Sequence, residues 1–168
     1  MQDESLKYWV QGAMIAAIYV VLTLILNAFS FGQIQLRLSE ALTILPVFTP
    51  AAVPGLFAGC LIANILGRAE LLDVIFGSLA TLIGAALTRR VARVSVWLAP
   101  VPPIVANALI VPFVLRFAYG IPTAIPLMML TVGIGEILSC GAAGLLLYRA
   151  LLPYSQVIFG HTDGDASR

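Results

Sequence analysis

The chain has 168 residues, of which 61% are hydrophobic and only 10% are charged. Soluble domains carry roughly a quarter charged residues, so this composition excludes an ordinary soluble domain and predicts an integral membrane protein. The formal net charge of +1 excludes a nucleic-acid partner, because nucleic-acid binding needs a strongly basic surface.

The first apolar segment covers about residues 8–29 and is long enough to cross a membrane, which takes about 20 helical residues. The residues before it are polar and acidic, so we expect no cleavable signal peptide. Small residues form two adjacent rows on this helix, Gly12 with Ala16 and Ala13 with Ala17. Such rows allow another helix to approach closely, either within this chain or in a separate membrane subunit.

A broken apolar run follows at residues 33–57, QIQLRLSEALTILPVFTPAAVPGLF. Arg37 and Glu40 lie three residues apart near its start, and charge within an apolar protein usually marks a ligand or ion path. The block FTPAAVPG interrupts the run, because proline lacks an amide donor and clashes with the preceding turn. The halves, about residues 38–49 and 51–66, are two short spans or one broken helix. We therefore predict six spans, with five as the alternative.

Polar residues occur singly in the next two segments. On the second half of the broken run Asn64 adjoins a row of small residues formed by Gly55, Gly59 and Ala63. The following predicted span, about residues 71–88, carries a polar and small stripe on one side that begins at Asp73. Asp73 either stabilises the positive end of its helix dipole or contributes to a site.

The fifth predicted span, about residues 96–117, follows the only basic cluster of the chain, Arg89, Arg90 and Arg93. This span contains four prolines and one amide side chain, that of Asn107. Prolines free backbone carbonyls, which need hydrogen-bond partners in a membrane. Asn107 therefore either serves the backbone or faces a ligand.

The last predicted span, about residues 123–147, contains Glu136 well inside the hydrocarbon region. An intramembrane carboxylate is a candidate for a functional site, and the neighbouring glycines at positions 133, 135 and 141 leave room beside it. The chain ends in a polar tail, about residues 153–168, which holds His161 and which we expect to be frayed. Residues 6–152 are predicted to form one helical bundle.

The basic residues predict the orientation, because cytoplasmic loops are enriched in lysine and arginine. With six spans, one side receives Lys7, Arg89, Arg90, Arg93 and Arg149, and the other receives Arg37, Arg68 and Arg116. The first side is then cytoplasmic and carries both termini of a protein of the cell membrane. The outer side gathers Arg37, Glu40, Glu70 and Asp73, and a pocket beneath them is completed by Asn64, Asn107 and Glu136.

Motifs for metal binding and ATP hydrolysis are missing, since the sequence contains no CxxC, HExxH or GxxxxGK[ST]. We expect no metal and no cofactor, and Cys60 and Cys140 are interpreted as packing residues. An intramembrane enzyme would need a nucleophile with a base or a metal, but the only histidine is in the tail. A self-contained secondary transporter with Glu136 or Asp73 as proton relay remains the alternative to a binding subunit.

Three segments of the chain resemble a known family: QLRLSEALTILPVFTPAAVPGLFAGCLIANIL, LLDVIFGSLATLIGA and VGIGEILSCG. They resemble the QueT family of queuosine-precursor transporters, which are the substrate-binding S components of energy-coupling-factor (ECF) transporters. The resemblance covers nearly all of residues 6–151. It implies an all-α membrane protein with six transmembrane helices and a substrate pocket near the outer face.

The resemblance also implies partners and a cargo. A membrane-embedded T component would dock on the first helix through an AxxxA pattern, here Ala13 and Ala17 beside Gly12 and Ala16, and two ATP-binding subunits would use the ATP. A 7-deazaguanine base presents paired N–H donors, which a carboxylate accepts well. We expect Glu136 and Glu40 to bind it, with Asp73 next. Arg37, Asn107 or Asn64 would donate to its carbonyl, and Phe31, Phe48 and Tyr119 are available for stacking.

Overall fold

The computed structural model describes residues 2–27 and 37–160, and this part of the chain is helical apart from short turns. Seven α-helices occur in it: α1 Gln2–Asn27, α2 Ala52–Leu66, α3 Ser78–Val91, α4 Val101–Phe117, α5 Ile125–Glu136, α6 Gly144–Leu151 and α7 Ser155–Phe159. Between them lie a 3₁₀ helix at Leu38–Val47, shorter 3₁₀ turns at Val96–Leu98 and Leu152–Tyr154, and π-helical segments at Asp73–Gly77 and Ile137–Ala143.

Within the described residues, four helical stretches are long and apolar enough to cross a membrane: Glu4–Leu26, Asp73–Val91, Val96–Phe117 and Ile125–Phe159. The predicted all-α, multi-pass membrane protein is thereby confirmed. Six transmembrane helices are not, because the two halves of the broken run, Leu38–Val47 and Ala52–Leu66, have only 10 and 15 residues. A turn at residues 48–51 separates them, so this region forms two short helices instead of one long broken helix.

The 3₁₀ helix Leu38–Val47 lies at the centre of the bundle, in contact with α1, α3, α6 and the π-helical segment Ile137–Ala143. Its hydrogen bonds reach back three residues, from Glu40 N to Arg37 O at 3.0 Å and from Phe48 N to Leu45 O at 2.9 Å. Most of its side chains are buried, including the polar Ser39, Glu40 and Thr43. A polar residue on this helix is therefore surrounded by protein and not by lipid.

Helices α1 and α2 are in backbone contact. A Cβ atom added at Gly55 would lie 2.6 Å from the carbonyl oxygen of Gly12, and one added at Gly59 would lie 3.0 Å from that of Ala16. The row Gly12–Ala16 therefore packs within the chain, which corrects the prediction that these two residues face a partner. Ala13 and Ala17, on the adjacent row, are exposed.

Residues 153–159, the first part of the predicted polar tail, are helical and packed against the bundle, although this tail was predicted to be frayed. The helix that contains Glu136 continues, with π and 3₁₀ turns, as far as Phe159. The ring of Phe159 stacks on that of Phe48 at 5.2 Å between centroids, and Gln11 Nε2 donates to the carbonyl of Ile158 at 3.2 Å. These contacts hold residues 153–160 against the bundle, while His161 lies outside the described residues.

The bundle therefore has two distinct ends. The start of α1, the turn at residues 48–51, the loop after α3 and the end of α6 lie together, and we call this the basic end. Its contacts include Arg89 Nη1 to the carbonyl of Pro46 at 3.1 Å, and the Arg149 guanidinium 5.2 Å from the centre of the Trp97 ring. The end of α1, the start of the 3₁₀ helix and the loops after α2 and α4 lie at the other end, which we call the pocket end.

Candidate functional site

A cavity of about 340 Å³ opens at the pocket end. Pockets for small molecules usually measure about 300–1,000 Å³, so this volume suits a compact ligand. Its wall is lined by Leu22, Thr23, Leu26, Arg37, Leu38, Ser39, Ala63, Asn64, Gly67, Arg68, Ala69, Asp73, Leu115, Tyr119 and Ile121. Polar side chains from the 3₁₀ helix, α2 and the first π-helical segment thus meet in one cavity of an otherwise apolar protein.

Arg37, Asn64 and Asp73 form the polar wall of this cavity. Arg37 Nη2 donates to Asn64 Oδ1 at 2.8 Å, and Asn64 Nδ2 donates to the backbone carbonyl of Asp73 at 3.3 Å. The Asp73 carboxylate accepts a hydrogen bond from Tyr119 Oη at 3.0 Å. The wall therefore offers a cation with N–H donors on one side and a carboxylate on the other, in positions fixed by neighbouring side chains.

Tyr119 closes the cavity from the loop after α4. Its hydroxyl oxygen accepts the backbone N–H of Glu70 at 3.3 Å while the hydroxyl donates to Asp73. Partial burial, and then the negative charge of Asp73, raises the pKa of Tyr119 above its usual value. The hydroxyl thus stays protonated at neutral pH and remains a hydrogen-bond donor.

Two carboxyl groups are buried deeper in the bundle. Glu40 is wholly inaccessible and Glu136 is 4% exposed. The Tyr19 hydroxyl donates to Glu40 Oε1, and Asn107 Nδ2 contacts Glu40 Oε2 at 3.5 Å. The thiol of Cys140 lies 3.1 Å from Glu136 Oε2. Carboxylate oxygens of both glutamates and Cys140 Sγ lie within 4.8 Å of one another.

These contacts also address the prediction of no metal. Two carboxylates and a thiol at such distances are the types of group that hold a cation. Their polar atoms also contact Tyr19, Asn107 and one another, and the expectation of no metal stays a prediction. Cys140, interpreted from the sequence as a packing residue, is instead part of a polar cluster.

The six residues predicted to bind substrate thus fall into two groups. Arg37, Asn64 and Asp73 line the cavity. Glu40, Asn107 and Glu136 form the buried cluster, and none of them is among the lining residues. The prediction of a single pocket made of all six is corrected in this respect. The two groups meet at the start of the 3₁₀ helix, where Arg37 and Glu40 are one turn apart.

Of the two aromatic residues proposed for stacking that the structure describes, Phe48 and Tyr119, Tyr119 lines the cavity. Phe48 is at the basic end, where its ring stacks with Tyr148 at 5.2 Å and with Phe159, so its predicted role is corrected. Phe31 lies outside the described residues. Sequence reasoning missed Tyr19, although its hydroxyl binds Glu40 and its side chain is among the largest that are fully buried.

Both π-helical segments adjoin acidic residues of the site. Asp73 begins the segment Asp73–Gly77, and Glu136 directly precedes the segment Ile137–Ala143. A π turn widens the helix by one residue and frequently occurs at functional sites. In the first segment the Asp73 carboxylate lies against Gly77, where a Cβ would come within 2.7 Å of Asp73 Oδ1, so Gly77 leaves space for the carboxylate.

Comparisons with known proteins give one family and one relative. The sequence matches the QueT transporter family over residues 9–153. It is similar to the Queuosine precursor transporter QueT of Lactococcus lactis subsp. cremoris (strain MG1363), with 41% identity over 73 residues, which are 42% of this chain and 43% of that protein. The aligned part is therefore less than half of the relative's length. No solved structure matches the chain significantly.

Proposed function

Because the chain belongs to the QueT transporter family, we propose that it is the substrate-binding membrane subunit of an importer for queuosine precursors, the 7-deazaguanine bases. Membership in a family of transporters also confirms that the chain is not an enzyme. The similar Lactococcus lactis protein is a queuosine precursor transporter by name, which supports this cargo.

The observation that carries the proposal is the polar wall of Arg37, Asn64 and Asp73 in the cavity. A deazaguanine base has N–H donors on one edge and a carbonyl acceptor beside them. A carboxylate accepts paired N–H donors, and a guanidinium donates to a carbonyl. The charges on Asp73 and Arg37 match this pattern, and Tyr119 supplies a ring beside them. We propose that these residues contact the base, and that Glu40, Asn107 and Glu136 support Arg37 from behind.

We further propose that the transporter is of the ECF type, with a T component and two ATP-binding subunits as partners. The sequence has no GxxxxGK[ST] motif for binding ATP, which fits a subunit that leaves ATP hydrolysis to others. The exposed row of Ala13 and Ala17 on α1 is a surface that a partner helix can approach closely. We propose that the T component docks there.

The distribution of basic residues supports an orientation with the cavity outside. Lys7, Arg89, Arg90, Arg93 and Arg149 are on elements of the basic end, which also holds the start of α1 and all of α7. Positively charged residues favour the cytoplasmic side. We therefore propose that the basic end and both termini are cytoplasmic in the cell membrane, and that the pocket end receives substrate from outside.

The chain alone is expected to bind a deazaguanine and not to concentrate it. Purified protein should show saturable binding in detergent, while liposomes that contain it alone should show no uptake above equilibration, with or without ATP. Adding the T component and the ATP-binding subunits should produce ATP-dependent uptake. Scintillation counting of labelled base measures both results.

The same liposomes test the alternative of a self-contained proton-coupled transporter. The observation in favour of this alternative is the buried pair of Glu40 and Glu136, since paired carboxyl groups inside a membrane can carry a proton. An imposed pH gradient across liposomes with the chain alone should produce no accumulation. Accumulation driven by the gradient would contradict the proposed division of labour and establish the alternative.

A double substitution of Ala13 and Ala17 by tryptophan is expected to reduce co-purification of the T component by at least tenfold. Bulky side chains on this row prevent the close approach of a second helix. Both positions are exposed, so the fold and the deazaguanine affinity should be unchanged. Ala142→Trp, at an exposed position on another helix, is the matched control and should assemble normally. Normal assembly of the double variant would place the docking surface elsewhere.

A further inference from the structure

A second polar cavity lies at the basic end, remote from the proposed substrate site. It has a volume of about 310 Å³ and is formed by the loop after α3 and by α6. The loop supplies Ser95, Val96 and Trp97, and the helix supplies Leu145, Tyr148 and Arg149. The function proposed above uses none of these residues.

The charge of this cavity is positive. Arg149 is the charged residue in its lining, which contains no carboxylate. Its guanidinium lies 5.2 Å from the centre of the Trp97 ring, a cation–π contact that holds it at the cavity while its N–H groups can still donate. Arg93 is exposed and directly precedes Val94, another lining residue. The cavity therefore suits a compact anion.

Apolar side chains flank the cavity on the outside of the bundle. Val94 is 83% exposed and Trp97 is 64% exposed. The cavity also lies where two candidate spans end and begin, Asp73–Val91 and Val96–Phe117, and tryptophan at such a position is typical of the membrane–water interface. A basic site with an apolar surface beside it matches a molecule with an anionic head and hydrocarbon chains.

We propose that this cavity binds the headgroup of an anionic phospholipid. The phosphate is held by Arg149 and Arg93, the glycerol end lies against Ser95 and Tyr148, and the acyl chains run along Val94 and Trp97. Basic pockets between membrane helices recognise anionic lipid headgroups in this way. The proposal does not depend on the identity of the transported substrate.

Tryptophan fluorescence provides a direct test. The chain contains only two tryptophans, so Trp9→Phe leaves Trp97 as the single reporter in the otherwise complete protein. The variant is reconstituted in phosphatidylcholine vesicles with increasing fractions of phosphatidylglycerol that carries brominated acyl chains, which quench on contact. Brominated phosphatidylcholine is the reference lipid. We expect brominated phosphatidylglycerol to reach half-maximal quenching at a mole fraction at least fivefold lower than brominated phosphatidylcholine does. Equal quenching by the two lipids would overturn the proposal.

Substitutions then separate a defined site from general surface charge. Arg149→Gln removes direct charge-assisted hydrogen bonds to the phosphate as well as a surface charge, so it should reduce the preference for phosphatidylglycerol by about tenfold or more, and Arg149→Lys should reduce it less. Arg90→Gln removes the same charge from an exposed position of the same end that does not line the cavity, and should reduce the preference by no more than about fivefold, the value of one arginine near an anionic surface. Equal losses in Arg90→Gln and Arg149→Gln would mean diffuse attraction and would also overturn the proposal.

The source of the phosphate is tested with a soluble competitor. Glycerol phosphate at the bulk concentration of the lipid headgroups should leave the quenching unchanged, because it lacks the acyl chains that contact Val94 and Trp97. If it reverses the quenching, the cavity is a site for soluble phosphates and the lipid assignment is wrong.

Discussion

Replacing Asp73 with asparagine is expected to lower the affinity for a 7-deazaguanine base by about tenfold to a hundredfold, because a hydrogen bond to a charged group contributes about 1.5–3 kcal/mol. The asparagine has nearly the same shape, but it presents an NH₂ group where a ligand donor needs an acceptor. Asp73 is only partly buried at the edge of the cavity, so the fold should be unchanged. Isothermal calorimetry in detergent measures the affinity, and thermal unfolding checks the fold.

Three further variants locate the ligand. Tyr119→Phe removes the hydrogen bond to Asp73 but keeps the carboxylate. Because only the position of the carboxylate is then affected, the affinity should fall less than in Asp73→Asn. Glu70→Gln makes the same chemical change at an exposed residue outside the cavity lining and should have no effect. Glu136→Gln should also lower the deazaguanine affinity less than Asp73→Asn does. A larger loss in Glu136→Gln would show that the base reaches the buried cluster, as the sequence alone suggested.

Replacing Gly55 with alanine is expected to destabilise the protein by about 1–3 kcal/mol, the usual cost of forcing an extra carbon into a packed interface. The new Cβ would lie 2.6 Å from the carbonyl oxygen of Gly12 and 3.1 Å from its Cα. Both are backbone atoms, so no side chain can rotate away and α1 must move as a whole. Because Tyr19 on α1 donates to Glu40, deazaguanine affinity should fall as well.

Gly133→Ala is the matched control, since its Cβ would meet only the Ala108 side chain at 3.8 Å, an ordinary contact. Alanine is favoured over glycine inside a helix by roughly 0.5–1 kcal/mol. The two variants should therefore change the free energy of unfolding differently: Gly133→Ala should leave it unchanged or raise it, and Gly55→Ala should lower it. Thermal unfolding in detergent compares them directly. Equal stability of both variants would mean that α1 and α2 are not in backbone contact.

Arg37 and Asp73 were predictable as cavity residues because a charge in an apolar protein is costly, whereas Arg68, which also lines the cavity, was not among the predicted site residues. The division of the six candidate residues between the cavity wall and the buried cluster was not predictable, because it depends on which helices become neighbours. The contact between Glu40 and Asn107 joins residues far apart in the chain. Cys140 was a missed signal: it follows Glu136 by four residues, a spacing that places both on one face of a helix.

Apolar length alone predicted three spans to within a few residues, whereas the last predicted span, residues 123–147, continues to Phe159 and the predicted count of six spans is not confirmed. The sequence could not predict which row of small residues on α1 packs within the chain, because both rows are equally able to pack against another helix. Only the position of Gly55 and Gly59 opposite Gly12 and Ala16 decides which row is internal. The contact of Phe159 with Phe48 was likewise invisible, since a polar composition around it indicated a frayed tail.

The winding of Leu38–Val47 determines how far this short segment reaches. A 3₁₀ helix rises about 2.0 Å per residue, so ten residues cover about 20 Å, whereas an α-helix of the same length covers about 15 Å. The extra reach lets the segment run from the cavity, where Arg37 binds Asn64, to the basic end, where Arg89 holds the carbonyl of Pro46. The 3₁₀ helix thus connects the cavity directly to α3, through the hydrogen bond of Arg89 to Pro46 at the opposite end of the bundle.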